Sequence, residues 1–376
     1  MLENIVLLIF FLHLLVAAFL LNTDKGNILS NKLLASYLIV LALDISNFLF
    51  PDFYSAHPNL NMVRSNIALF TAPFLYGYVN AVVYNDFKLK RKHYLHCLPF
   101  VFACLALVPR FFSVGTEGKQ VFYDNFNAMP ETIFILSLVY IQVGMYIVAM
   151  FKILNRQRKI IIENYSDEHH LTNRWLTQFL FLFSLIYIFA LARTLYKFSA
   201  DNNTVEILTL VMMFCAFLSI CWILWQALNH PQLFVGVNSK IEVLADKPSV
   251  EELANNQKDN ATTTHDDLIA KLENYMRLNK PFLNPSLSVE SLAKQIEVPG
   301  NELSILINRK IGQHFFDFVN TYRINFAAEM LSDKNNQKKT VMEILYDAGF
   351  NSKSSFNTAF KKHKQVTPSQ YRKNNV

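Results

Sequence analysis

The feature that most constrains this chain is a series of seven apolar stretches, each close to the length of a bilayer-crossing helix. About 20 mostly apolar residues cross the hydrocarbon core of a membrane as an α-helix. The stretches are Glu3–Leu21, Lys32–Phe50, Met62–Tyr84, Tyr94–Pro109, Glu131–Leu154, Trp175–Phe198 and Val205–Leu228. The fourth is the shortest and contains Pro99. The first has no basic residue before its apolar run, unlike a cleaved signal peptide, so we predict seven uncleaved transmembrane helices.

The distribution of Lys and Arg between the loops predicts how these helices are oriented. The first, third and fifth loops with their flanks contain 11 Lys and Arg, whereas the second, fourth and sixth contain 4. Loops rich in Lys and Arg stay on the cytoplasmic side of a membrane. We therefore predict that the N-terminus lies outside and that, after seven crossings, the C-terminus lies in the cytoplasm.

The chain after the last apolar stretch has a different composition. Residues 265–376 carry 16 Lys and Arg against 11 Asp and Glu, and residues 229–264 are rich in Asn, Thr and Ser. A basic segment favours binding to a polyanion, and a polar segment low in aromatic residues is typical of a flexible tether. We predict a seven-span membrane domain at 1–230, a flexible linker at 231–264 and a cytoplasmic domain at 265–376.

No motif in the chain predicts a metal site, a cofactor or catalysis. All four cysteines lie in apolar stretches without a CxxC pair, where a thiol behaves as a small apolar group. The run Asp167–His170 lacks the spacing of metal ligands. Kinase, nucleotide-phosphate and nucleophile motifs are absent, and nine glycines leave little room for glycine-rich loops. We therefore predict that the protein is not an enzyme and holds neither metal nor cofactor.

Two similar pairs of short helices are predicted in the basic segment. In the first pair, Ser288 is a candidate N-cap, and a second helix follows at Asn301–Lys310. In the second pair, a helix at Val341–Tyr346 is followed by a turn and a helix at Ser352–Lys362. Apolar residues at helical spacing predict a connecting helix at 315–331 between the pairs.

The second helix of each pair has an apolar side and a polar side. The apolar side, which we predict to be buried, holds Leu303, Leu306 and Ile307 in the first pair and Phe356 and Phe360 in the second. Two short helices joined by a tight turn, with the second polar outward, describe a helix-turn-helix unit. The predicted fold is all-α: a seven-transmembrane-helix bundle plus a cytoplasmic all-helical domain with two helix-turn-helix units.

Many short sequence matches occur in a fixed order between about Leu268 and Arg372. They are Leu303-Ser304, Tyr322-Arg323, Ala327-Ala328, Leu331, Ile344, Gly349-Phe350, Ser355-Phe356, Phe360-Lys361-Lys362 and Thr367-Pro368-Ser369-Gln370-Tyr371-Arg372. With these residues the segment resembles the DNA-binding domain of AraC-type transcription regulators. Leu345 stands where that family usually has Ala, and Gln365 stands where it usually has Gly.

A looser match extends the resemblance toward the N-terminus. It consists of the seven apolar stretches, Tyr275-Met276, Lys280-Pro281-Phe282-Leu283 and, in the third stretch, Pro73-Phe74-Leu75-Tyr76-Gly77-Tyr78. These features are similar to those of membrane-embedded AraC-type proteins found in Bacteroidetes-like bacteria. The resemblance implies a transcription regulator in the bacterial cytoplasmic (inner) membrane.

The family's binding mode implies that the second helix of each unit enters the major groove, about one helical turn from the other. Helix phase then predicts the side chains that read bases. These are Asn301, Ser304, Ile305 and Asn308 in the first unit and Lys353, Ser354, Asn357 and Thr358 in the second. Asn can pair bidentately with adenine, and Ile or Thr methyl groups can contact thymine methyls. Arg309, Lys310, Lys361 and Lys362 are predicted to contact phosphates.

Charged residues inside the apolar stretches predict a polar site in the membrane domain. Asp44 and Arg193 lie at similar depth near the outer ends of the second and sixth spans. We predict that they form an ion pair or a shared polar site for a signal, with Arg64 and Glu206 at its mouth. The alternative is that Arg193 snorkels to the outer interface while Asp44 bonds to a neighbouring helix.

Duplex DNA and the lipid bilayer are the predicted partners of this chain. RNA polymerase, a small-molecule signal and a second copy of the chain are further candidates. The sequence leaves three functions open: a regulator that senses a signal, a passively anchored transcription factor, and a transporter or receptor with a DNA-binding adaptor tail.

Overall fold

The computed structural model describes residues 2–23, 27–84, 86–166, 174–198, 202–229 and 265–375. The helices are α1 (Leu2–Asn22), α2 (Ile28–Ile45), α3 (Pro51–Ala56), α4 (Pro58–Ile67), α5 (Thr71–Val83), α6 (Leu98–Leu107), α7 (Thr116–Asp124), α8 (Pro130–Asn164), α9 (Arg174–Phe198), α10 (Asn202–Asn229), α11 (His265–Asn279), α12 (Val289–Gln295), α13 (Gly300–Ile305), α14 (Phe315–Ser332), α15 (Val341–Asp347), α16 (Lys353–Lys364) and α17 (Pro368–Asn375). The described ranges contain no β-strand, so the prediction of an all-α fold is confirmed.

Seven helical stretches within the described ranges are long and apolar enough to cross a membrane. They are Asn4–Asn22, Ile28–Phe48, Pro58–Val83, Arg91–Phe112, Pro130–Asn164, Trp175–Lys197 and Thr204–Ile223. Each overlaps one of the predicted apolar stretches, which confirms their number and order. Pro99 lies in the first turn of α6, where its missing N–H removes no hydrogen bond from the helix.

The first of two compact units contains the described residues between 2 and 154 and between 174 and 229. Its core includes the fully buried side chains of Leu38, Leu75 and Tyr78. A Cβ atom at Gly77 would lie 3.3 Å from Leu33 Cδ2, so the missing side chain allows α2 and α5 to pack closely. Small residues at helix contacts are typical of membrane bundles, because packing rather than hydrophobicity drives association there.

The second compact unit contains α11 to α17 and has two apolar cores. Phe318 and Val319 of α14 belong to the core of the first helix pair, and Ile324 and Ala327 belong to the core of the second. The predicted connecting helix is thus confirmed, with bounds close to those expected from the sequence. It holds the two pairs together because it contributes side chains to both cores.

Residues 155–166 also belong to the second unit, although the sequence assigned them to the fifth loop. Helix α8 does not stop at Leu154 but continues to Asn164, followed by Tyr165 and Ser166. The predicted linker 231–264 lies outside the described residues. The predicted domain boundaries stay a prediction.

Candidate nucleic-acid interface

The first helix pair begins with a reciprocal cap at Ser288. The Ser291 backbone N–H donates to Ser288 Oγ at 3.2 Å, and the Ser288 backbone N–H donates to Ser291 Oγ at 3.0 Å. The predicted N-cap is therefore confirmed, and its partner at the third helical position is a serine instead of the usual Glu or Gln. Helix α12 is followed by Glu297 in a left-handed conformation and by Pro299 at the N-cap of α13.

The second helix pair begins in the same way at Thr340. The Thr340 backbone N–H donates to Glu343 Oε2 at 2.6 Å, and the Glu343 N–H donates to Thr340 Oγ1 at 3.1 Å. These hydrogen bonds lower the pKa of Glu343 below its ordinary value because they stabilise the carboxylate. Helix α16 then begins at a third cap, where Ser352 Oγ accepts from the Ser355 N–H at 3.1 Å.

The turn of the second pair requires glycine at position 349. Gly349 has φ +84°, and a Cβ atom there would lie 2.6 Å from the backbone oxygen of Phe282. The backbone of the second turn therefore approaches the segment that precedes the first pair. Helix α16 ends at Gln365, which adopts φ +61° although it carries a side chain. The related family usually has Gly here, and left-handed geometry explains that preference.

The apolar residues of the second helix in each pair are buried, as predicted. They are Leu303, Leu306 and Ile307 in the first pair and Phe356 and Phe360 in the second. The rings of Phe356 and Phe360 pack with their centroids 5.5 Å apart. Leu345, which replaces the usual Ala, is accommodated in the second core. These side chains fix the rotation of α13 and α16 and so decide which residues face outward.

The outer face of α16 is open. The four predicted base-reading residues of the second unit, Lys353, Ser354, Asn357 and Thr358, are all exposed. They lie at helical spacing on one side of the helix, with Lys361 one turn further along. Helix α16 therefore presents one continuous polar face that a nucleic acid could contact.

The outer face of α13 is covered. Ser304 and Ile305, which are predicted to read bases, are only 1% and 4% exposed. Asn308 is half-buried, and its Nδ2 donates to Ser304 O at 2.8 Å and lies 3.5 Å from Glu163 O. Asn301, at the start of the helix, is exposed. Three of the four predicted base-reading positions are thus at least partly shielded.

The predicted phosphate-contacting residues are exposed on both pairs. They are Arg309 and Lys310 after α13 and Lys361 and Lys362 in α16. Lys362 Nζ also pairs with Asp317 Oδ1 at 2.6 Å. An exposed pair of this kind contributes about 0–1 kcal/mol, so a phosphate could replace the carboxylate at little cost.

Arg323 is the main structural residue whose role the sequence did not predict. It is 1% exposed, and its guanidinium donates to four backbone oxygens: Phe282 O at 2.7 Å, Ser166 O at 2.8 Å, Asn284 O at 2.8 Å and Pro285 O at 3.4 Å. It also lies over the ring of Phe350 at 5.6 Å. The planar guanidinium suits this arrangement because it presents five fixed donors. The sequence showed the Tyr322-Arg323 match but no sign of its partners.

In the membrane unit, the structure pairs Asp44 with Arg64. Arg64 Nη1 lies 3.7 Å from Asp44 Oδ1 and donates to the backbone oxygen of Asp44 at 2.5 Å. Arg64 is thus placed at the carbonyl end of α2, where the helix dipole also favours a cation. Arg193 instead donates from Nε to Thr209 Oγ1 at 2.7 Å, while interacting electrostatically with Asp44. Glu206 is exposed. Asp44 thus forms its ion pair with Arg64, and a signal site shared by these residues stays a prediction.

Comparison with known proteins addresses the C-terminal part of the chain. Residues 292–374 match a family model described as a helix-turn-helix domain. A search of curated proteins finds no match. A solved structure, of a Listeria innocua protein of unknown function, is 29% identical over 29% of this chain and 97% of its own, with a TM-score of 0.25.

The family match and the geometry together define the class of the C-terminal part. It carries an AraC-type helix-turn-helix domain, which is the DNA-binding part of transcription regulators. The same chain carries seven helices that could cross a membrane. The sequence-based prediction of a DNA-binding transcription regulator joined to membrane helices is confirmed at this level.

Proposed function

We propose that this chain is a membrane-embedded regulator that binds specific duplex DNA sequences through two helix-turn-helix units. The observation that carries the proposal is the repeated construction of the two helix pairs. Each has a capped first helix, a tight turn and a second helix whose apolar side is buried. Such units place the second helix in the major groove. The shared helix α14 supports a single binding surface with two contact points.

The open face of α16 has the chemistry that base reading requires. Asn357 offers a donor and an acceptor, which match adenine, while Lys353 suits guanine and the Thr358 methyl suits thymine. Lys361 supplies a phosphate contact that carries no sequence information. In this proposal Lys353, Asn357 and Thr358 determine which DNA sequence α16 prefers, and Lys361 adds affinity for any sequence.

Orientation in the membrane forms part of the proposal. The excess of Lys and Arg in the odd-numbered loops supports an outside N-terminus and a cytoplasmic C-terminus in a bacterial inner membrane. Duplex DNA is accessible only from the cytoplasm, so this orientation is also the one that DNA binding requires. RNA polymerase and a second copy of the chain are proposed as further partners of the cytoplasmic part.

A signal site in the membrane unit is the second part of the proposal. The Asp44–Arg64 pair, Arg193 and Glu206 are charged groups in or beside spans, where charges are costly and usually functional. Asp44 Oδ1 lies 3.7 Å from Arg64 Nη1, so a small polar ligand could contact both charges. We propose that this cluster receives the signal that alters DNA binding.

The DNA-binding proposal is tested by selecting duplexes from a random pool with the full chain in lipid nanodiscs. We expect an enriched motif with two elements about one helical turn apart. Affinity should fall steeply with salt, because a site of this size neutralises about 6–10 phosphates. Equal affinity for all sequences, or binding that salt leaves unchanged, would contradict the proposal.

The signal site is tested in cells with a reporter gene placed behind the selected motif. The variants are Asp44→Asn, Arg64→Gln and Arg193→Gln, each checked for normal abundance in the membrane. We expect altered reporter output in each, with the largest change at Asp44. Normal abundance and normal reporter output in all three would leave a passive anchor as the role of the membrane unit.

A further inference from the structure

The second unit contains a helix end that contacts the first pair at one of its predicted DNA-reading residues. It comprises residues 157–166, which are the end of α8 followed by Tyr165 and Ser166, and we name it the cover segment. One face of this helix end is buried, formed by Gln157, Ile160, Ile161, Glu163 and Asn164. The opposite face carries the exposed residues Arg158 and Lys159. An amphipathic helix end of this kind is built to pack against a surface.

Hydrogen bonds attach the cover segment to the start of the first pair. The Ser166 backbone N–H donates to Leu287 O at 3.1 Å, and Ser166 Oγ donates to the same oxygen at 2.6 Å. Tyr165 forms an isolated antiparallel bridge with Ser288, the N-cap of α12. Arg323 donates to Ser166 O at 2.8 Å and to Ser166 Oγ at 3.0 Å. All of these partners lie within the same compact unit, so the attachment is built into that unit's fold.

A contact with α13 places the same segment at a predicted base-reading position. Glu163 O lies 3.5 Å from Asn308 Nδ2, and Asn308 is one of the side chains expected to reach a base. The neighbouring positions Ser304 and Ile305 are buried, whereas the corresponding face of α16 is open. The cover segment therefore meets the first pair at Asn308, one helical turn from the buried Ser304.

The dimensions of the major groove make this position incompatible with DNA on the first pair. The groove is about 12 Å wide, and an α-helix with its side chains has a diameter of about 10–12 Å. One helix fills the groove, so a second helix packed against the DNA-facing side of the first has no space. DNA and the cover segment must exclude each other at α13.

We propose that the cover segment is an autoinhibitory element, which occupies the DNA-reading face of the first pair and must leave before both pairs can bind. This inference rests on the proposed DNA-binding function. In the covered state only α16 is available, so binding is weak and reads half of the site. Because α8 continues without a break from the fifth predicted span into the cover segment, a displacement of that span is passed along one helix to the cover segment.

The experiment uses the full chain in lipid nanodiscs. A substitution detaches the cover segment from the first pair, and the affinity for the selected duplex is then measured. Ile161→Asp places a charge on the buried face of the cover segment, and Asn155→Asp places the same charge at an exposed position of the same helix. If about nine in ten molecules are covered, opening raises the apparent affinity roughly tenfold, because that affinity scales with the binding-competent fraction. We expect this gain for Ile161→Asp, and less than a twofold change for Asn155→Asp by the same relation.

A second experiment holds the cover segment against the first pair with a cross-link. In a chain whose Cys97, Cys104, Cys215 and Cys221 are replaced by Ser, a reducible cross-linker joins Glu163→Cys to Asn308→Cys. We expect the cross-linked protein to lose binding to the complete motif and to regain it on reduction. Each molecule is its own control, because the same two substitutions are present before and after reduction.

The outcomes separate this inference from the proposed function. Equal affinity of wild type and Ile161→Asp, together with full binding by the cross-linked protein, would overturn the cover while leaving DNA binding intact. Absence of duplex binding in every variant, opened or closed, would overturn the proposed function and the cover with it. A gain on opening and a reversible loss on closing support both.

Discussion

The two helix pairs of the C-terminal unit share their construction and differ in their surroundings. Both begin with a reciprocal cap, at Ser288 and Thr340, and both bury the apolar side of their second helix. Yet α16 presents its polar face to solvent, whereas the corresponding face of α13 is largely buried. Similar local structure therefore does not mean similar availability for binding, and at Asn308 the contact is with Glu163, 145 positions earlier in the chain.

The largest effect is expected from a substitution in α14, the helix that packs against both pairs. Arg323→Met leaves the buried backbone oxygens of Phe282, Asn284 and Ser166 without their donor. Unsatisfied buried acceptors cost about 1–3 kcal/mol each, so we expect the unit to lose about 3 kcal/mol or more. Amide hydrogen exchange in the full chain should show this loss in both pairs. Arg277→Met, at an exposed arginine, is the control, and equal protection in the two variants would refute the role of Arg323.

A smaller effect is expected at the turn of the second pair alone. Gly349→Ala forces a Cβ atom to within 2.6 Å of Phe282 O and keeps a left-handed conformation. The conformation alone costs about 1–2 kcal/mol, and the clash adds to it. Gly312→Ala, with φ +74° and open space around its Cβ, is the matched control because it has the conformational cost only. If hydrogen exchange shows the same destabilisation for both, the close approach at Gly349 contributes nothing.

The contributions of α16, whose face is open, and of α13, whose face is buried, to base preference can be compared by substituting one asparagine at each. Asn357→Ala in α16 should relax preference at one base pair by about 1–3 kcal/mol. Asn308→Ala, just after α13, should have an effect of that size in the opened Ile161→Asp background. Lys361→Ala should weaken binding to all sequences alike. Selection from random duplexes measures all three, and an unchanged motif for Asn357→Ala would show that the helix phase assigned to α16 is wrong.

The caps of the two pairs should respond differently to acid. Removing either cap, with Ser288→Ala or Thr340→Ala, should cost about 1 kcal/mol of stability. Only the second cap depends on a carboxylate, and the pKa of Glu343 is lowered by its hydrogen bonds to Thr340. A lowered folded-state pKa stabilises above the ordinary value of 4.5, and this contribution is lost as the pH falls through the folded-state pKa. Hydrogen exchange between pH 6 and pH 3 should therefore show selective loosening of α15, which Glu343→Gln should abolish.

The smallest expected effect is a gain in stability. Gln365 ends α16 at φ +61°, a conformation that a side chain disfavours. Gln365→Gly should stabilise the second pair by about 0.5–1 kcal/mol, because the relief of strain exceeds the added freedom of the unfolded chain. Hydrogen exchange of α16 measures it. A loss of protection would show that the Gln365 side chain, which donates to Lys362 O, matters more than the strain.

Local features were determined by the sequence alone. The seven spans follow from runs of apolar residues long enough for a bilayer, and the N-cap at Ser288 follows from its residue type beside a helical pattern. The helix-turn-helix region follows from the same local patterns together with short matches to a known family. Hydrogen bonding within three or four residues and burial of one helix face are encoded nearby in the chain, which is why these predictions succeeded.

Only the tertiary structure decided which distant groups meet. Ser166 and Arg323 are separated by 157 positions, and no periodicity links them, yet their hydrogen bonds join the cover segment to the DNA-binding unit. The pairing of Asp44 with Arg64 rather than Arg193 was decided in the same way, by which helix end an arginine could reach. A buried guanidinium needs several acceptors at fixed angles, and only the folded backbone places carbonyl oxygens there. The sequence supplies the donors and acceptors, and long-range packing determines their partners.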